Sequence, residues 1–105
     1  MHQLIFCTCP DQKSAEDIAG HLINQKMAAC VNIVPSITSM YEWQGKVETS
    51  QEHLLLIKSH TDKYEALASL IKSHHPYELP EIIAVPIERG LPEYLQWINT
   101  CLSIK

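Results

Sequence analysis

The sequence predicts an α+β domain, on three observations. Short apolar runs of β-compatible residues alternate with stretches whose apolar residues recur every three to four positions. The segments follow the order strand, helix, strand, strand, helix, strand, helix. The two middle strands are long, and they meet at Gln44-Gly45, where a glycine tolerates the positive φ of a tight turn. The first six elements match the split βαβ arrangement, a ferredoxin-like βαββαβ sandwich, with an extra C-terminal helix and a long β-hairpin. At 105 residues, one domain spanning 1–105 is expected.

Each element has its own reason. Leu4 to Cys9 is a short apolar run stopped by Pro10-Asp11, which reads as a buried strand. Ala15, Ile18, Ala19, Leu22 and Ile23 form one helical stripe, with Asp11 or Ser14 available to cap its start. An extended stretch from about Ala28 to Trp43 alternates through Ala29, Val31 and Ile33. After Pro35 it presents Ile37, Ser39, Tyr41 and Trp43 on one face. Pro35 has no N–H, so it should mark a bulge or an edge strand. The return strand runs from about Lys46 to Ser59 and ends in the apolar run Leu54 to Ile57. A second helix begins near Thr61-Asp62, carries Tyr64, Leu67, Ala68, Leu70 and Ile71, and stops at His74-His75-Pro76. A fourth strand spans Glu81 to Ile87, Gly90 breaks it, and Pro92 opens a last helix with Tyr94, Leu95, Ile98 and Leu102 for packing.

Right-handed crossovers then put the two main helices on one sheet face. The end of the first strand, Cys7 to Cys9, lies beside the start of the fourth near Glu81, and the loop with His74 and His75 enters at the same edge. The hairpin is too long for a small domain to cover, and it carries Tyr41 and Trp43 near its tip. Exposed apolar strands are hazardous unless paired, so association of subunits is expected.

Composition narrows the function. A net charge of −4 and a pI near 5.8 argue against nucleic acid or an anionic membrane as partner, since phosphate binding needs a basic surface. No apolar run approaches the roughly 20 residues of a membrane span, and no leader pattern opens the chain, so a cytoplasmic location is expected. The four cysteines, Cys7, Cys9, Cys30 and Cys101, are then expected to be thiols.

A fold of this class hosts many functions. An RNA-binding version needs stacking aromatics on its central strands, and the run Leu54 to Ile57 offers none. A ferredoxin needs a dense cysteine set. An acyl-phosphate hydrolase needs a cationic cradle near the first loop, whereas the one arginine is Arg89. No nucleophile–base pair is legible by spacing, so the chain is read as a binding protein, not an enzyme. Cys7 and Cys9, two apart on a strand, face the same side. They are either two soft ligands for one ion or two small residues under a helix.

Several motifs together resemble a family. Cys7-Thr8-Cys9-Pro10-Asp11, Met27 to Ile33, Tyr41 to Glu48, Ile57-Lys58-Ser59, His74 to Ile82 and Tyr94 to Trp97 follow in register, and the sequence is similar to the divalent-cation tolerance (CutA) proteins over essentially its whole length. The resemblance implies a ferredoxin-like homotrimer, related in architecture to PII signalling proteins, that is cytoplasmic and associated with copper and other divalent metal ions. The proposed copper ligands of that family fall on Cys7, His74 and His75. Its pocket between subunits implies a lining here of Cys30, Trp43, Lys58, His75, Tyr77 and Glu78. Thiolate and imidazole both suit copper. With three protein ligands the ion is expected to be loosely bound unless Cys9 or a neighbouring subunit adds a fourth. The alternative is a PII-like trimeric sensor, in which Lys58 and Tyr77 supply donors to a small molecule held between subunits.

Overall fold

The computed structural model describes residues 1–105. The elements are β1 (His2–Cys9), α1 (Gln12–Asn24), β2 (Cys30–Trp43), β3 (Lys46–His60), α2 (Tyr64–His74), β4 (Ile83–Pro86) and α3 (Pro92–Cys101). The strands form one antiparallel sheet in the order β2-β3-β1-β4, which is the ferredoxin-like order expected. Side chains alternate along each strand. Ile5, Cys7 and Cys9 of β1, with Leu55 and Ile57 of β3, therefore face one way and join the core with Ala15, Ile18 and Leu22 of α1 and Leu67 and Ile71 of α2. Leu4, Phe6 and Thr8 face the other way. Here α3 packs at one end, where His2 Nε2 lies 3.1 Å from Leu95 O and 2.8 Å from Asn99 Oδ1.

α1 starts where the sequence suggested. Asp11 is extended, and its carboxylate accepts the Ser14 N–H at 2.8 Å and the Ser14 hydroxyl at 2.8 Å. Those two hydrogen bonds hold the Asp11 carboxyl below its ordinary range. The folded value being depressed, the cap's contribution is present above the ordinary carboxylate pKa and is lost as pH falls through the lowered one. Asp11→Ala is therefore expected to lower the urea midpoint at neutral pH, with the gap to the parent closing in acid. A gap of constant size would show that the charge of Asp11 contributes nothing. Ile23, read as part of the apolar stripe, is exposed. Eight residues on from Ala15 it has turned about 80° around the helix.

The hairpin confirms two local expectations. Gln44 and Gly45 both have positive φ, 51° and 80°, as a two-residue turn matching the twist of its strands requires. The β2–β3 register shifts between Val34 and Ile37, where Pro35 and the left-handed Ser36 form a bulge. Before the bulge Cys30, Asn32 and Val34 share the face opposite the main helices. After it, Ile37, Ser39, Tyr41 and Trp43 take that face, because one extra residue reverses the alternation. β1 ends opposite His53, so Ile37–Trp43 and their partners form a two-stranded arm that projects past the sheet. The molecule measures 46 × 25 × 22 Å as a result.

Two boundaries differ from expectation. β4 covers Ile83–Pro86 rather than Glu81 to Ile87. Pro80 and Pro86 bracket it, and neither has an N–H to extend the ladder. α2 begins at Tyr64, after a 3-10 turn at Thr61–Lys63 in which the His60 ring accepts the Asp62 N–H at 3.0 Å. No helix is long and apolar enough to cross a membrane.

Candidate metal centre and adjoining cleft

Cys7 and Cys9 are the last odd-numbered residues of β1, and the strand's alternation turns both beneath the main helices, where both are fully buried. His75 comes to them from the end of α2. Its successor Pro76 disfavours helical backbone, and His75 is extended, with φ −80° and ψ 137°. The ring thereby folds back over β1. The three ligand atoms of Cys7, Cys9 and His75 lie within 4.8 Å of one another.

The hydrogen bonds fix the His75 tautomer. Nδ1 accepts the Tyr77 N–H at 3.0 Å, so Nε2 carries the proton and donates it to Thr8 O at 2.7 Å. Cys7 Sγ donates to Thr8 O at 3.8 Å; the neighbouring Cys9 sulfur and burial push the Cys7 thiol up, while proximity to Cys7 shifts Cys9 down.

The donor set fits a thiophilic ion. Thiolates and imidazole are soft and borderline ligands, and they select copper(I) or zinc over magnesium or calcium. His53, the cross-strand partner of Cys9, carries a buried Nδ1 with no hydrogen-bond partner. Ligation has a cost here, because His75 must release one of its two hydrogen bonds.

This arrangement differs in one member from the expected triad of Cys7, His74 and His75. Cys7 and His75 do meet, but Cys9 takes the third position. His74 is the last helical residue of α2, so its side chain still follows the helix, whereas His75 has left it. Pro76 separates the two rings instead of letting them converge. The His74 ring stacks on His21 of α1, with centroids 4.0 Å apart, and Asp17 stands beside them.

Within one protomer the residues expected to line a pocket between subunits fall in separate places. A cleft of about 760 Å³ lies on the opposite face, at the root of the arm, and includes Trp43, Tyr77 and Glu78 with Tyr41, Glu52 and Glu81. Glu52 is almost fully buried and accepts the Tyr77 hydroxyl at 2.8 Å. Burial and that carboxylate together push the Tyr77 phenol up. Cys30 and Lys58 pair with each other elsewhere, and Lys58 Nζ donates to Asn32 Oδ1. Lys58 is six residues beyond Glu52 on β3, about 20 Å along the strand. His75 does not line the cleft, but its ring packs 4.9 Å from that of Tyr77, which does. Within one protomer the cleft is acidic and aromatic, and Lys58 supplies no donor beside Tyr77. Sequence reasoning missed Glu52, His21 and Asp17. Only the Asp17/His21 spacing was readable, as an i, i+4 pair.

Comparison with known proteins agrees with this architecture. A family model described as CutA1 divalent ion tolerance protein matches residues 3–101. The protein CutA homolog of Xenopus laevis is 50% identical over 94 residues, covering 90% of this chain and 62% of the relative. The chain thus spans less than two thirds of that relative's length. The divalent-cation tolerance protein CutA of Yersinia pestis (strain Pestoides F) is 44% identical over 99 residues, covering 94% of this chain and 83% of the relative. Among solved structures, CutA from Xylella fastidiosa superposes with a TM-score of 0.94 at 50% identity, covering 96% of this chain and 97% of the other.

Proposed function

This chain belongs to the CutA1 divalent ion tolerance family, and on that premise we propose that it is a copper-binding tolerance protein of the cytoplasm, working as a homotrimer and without turnover. The observation that carries the copper reading is the convergence of Cys7, Cys9 and His75, two thiols and an imidazole within 4.8 Å. Full burial of both sulfurs supports binding over catalysis, since a buried thiol is closed to a substrate. The net charge of −4 supports metal cations as partners rather than nucleic acid. The trimer is supported by the projecting arm, where Trp43 is 58% and Val47 73% exposed.

The test is a copper(I) titration under reducing conditions against a competing chelator. Cys7→Ser, Cys9→Ser and His75→Ala are each expected to weaken binding at least ~10-fold, the scale at which even outer-shell losses act. His74→Ala is expected to leave copper(I) affinity unchanged. Equal affinity in all four variants would remove the centre from this place. Loss in His74→Ala alone would restore the triad that family resemblance implied.

A further inference from the structure

We propose that Asp17, His21 and His74 form a second metal site, on the surface, for a borderline divalent cation such as Zn²⁺ or Ni²⁺. Asp17 and His21 stand one turn apart on α1 and therefore project from the same helix face. His74, the last residue of α2, reaches across to them. The two imidazoles stack with centroids 4.0 Å apart and planes 19° from parallel. Asp17 Oδ1 is 3.6 Å from His21 Nε2, and the three ligand atoms lie within 4.8 Å of one another.

These groups are arranged but not bonded. A 3.6 Å approach is too long for a hydrogen bond. The His75 ring, one residue further on, has both nitrogens committed. The imidazole lone pairs lie in the ring planes, so the two rings must turn out of their stack for both to meet one ion at the about 2.0–2.2 Å of a zinc–ligand bond, with the Asp17 carboxylate already within reach. The side chains have room for this, His21 and Asp17 being 38% and 55% exposed. Exposure also leaves coordination positions for water, so the ion exchanges readily. The donors are two nitrogens and one oxygen, with no sulfur. That set suits Zn²⁺, Ni²⁺ or Cu²⁺, and it does not favour copper(I) or the all-oxygen preference of Mg²⁺ and Ca²⁺.

This inference does not rest on the buried thiol centre. His74 and His75, adjacent in sequence, serve two sites of different softness on either side of the α2 terminus. The chain then holds a soft ion in its core and a borderline ion on its surface.

The experiment uses the whole chain and Zn²⁺ or Ni²⁺ as the probe. In NMR spectra resolving the six histidine rings, Ni²⁺ is expected to broaden the His21 and His74 signals first. By calorimetry, His21→Ala and Asp17→Asn are each expected to weaken the surface Zn²⁺ site at least ~10-fold, and Mg²⁺ is expected to give no heat. The copper(I) affinity of His21→Ala should equal that of the parent, which keeps failure of this site distinct from failure of the thiol centre. Unchanged Zn²⁺ affinity and stoichiometry in His21→Ala, or Ni²⁺ broadening that spares His21 and His74, would overturn the proposal.

Discussion

Leu55→Ala is expected to destabilise the fold by ~2–5 kcal/mol, the range for truncating a fully buried leucine. Leu55 sits on β3, which has a neighbour on each side, and its register partners are Cys7 on β1 and Ile33 on β2. It is fully buried and belongs to the core with Ile5, Ile57, Leu22, Leu67 and Ile71. A truncation there leaves a cavity between sheet and helices that rigid neighbours on both strands cannot collapse into. A domain of this size has a total stability of about 5–15 kcal/mol, so the loss is a large fraction of the whole. Val47→Ala, on the exposed arm, removes a smaller side chain that is 73% exposed and should cost under ~0.5 kcal/mol in the separate protomer. Urea midpoints at one fixed protein concentration measure both, since association adds a concentration-dependent term. Equal midpoints for the two variants would mean that the sheet–helix core does not set the cooperative unit.

How much of this was legible in the sequence depends on the range of the interaction. Asp11 as a cap, Pro35 as a bulge and Gln44-Gly45 as a turn are local, each decided by one residue's donors or dihedrals, and all three were readable. So was the alternation of Ile5, Cys7 and Cys9, because the period of a strand needs no tertiary information. The candidate metal ligands were harder. Whether His74 or His75 turns toward β1 depends on which residue last obeys the helix, and that boundary lies within the one- or two-residue uncertainty of any helix end. Glu52 reads as one more polar residue of a long strand. Its burial comes from Tyr77, which arrives from a loop twenty-five residues later. The stacked His21 and His74 depend likewise on the packing of α1 against α2, for which sequence spacing carries no signal.

Ile83→Glu is expected to convert the proposed trimer to single chains, an effect larger than any exposed substitution should have on an isolated protomer. Ile83 lies on edge strand β4 opposite Phe6, on the face away from the main helices, and is 55% exposed. α3 covers the His2 end of that face, leaving Ile83, Val85 and Val34 exposed beside half-buried Phe6, Leu54 and Leu56. The arm continues the same surface through Tyr41 and Trp43. If three copies bury this face, a glutamate at position 83 places three carboxylates in an apolar contact without partners. Desolvating an unpaired charge costs several kcal/mol each, which exceeds what the exchange of one exposed side chain does within a protomer. Light scattering at micromolar concentration should give the mass of three 11.9 kDa chains for the parent and of one for the variant. Circular dichroism should show the same secondary structure in both. Trp43→Ala removes an arm contact without adding charge, so it should raise the dissociation constant while leaving a trimer at high concentration. A trimeric Ile83→Glu protein with unchanged dissociation would move the interface off this face, and a monomeric parent would end the trimer reading altogether.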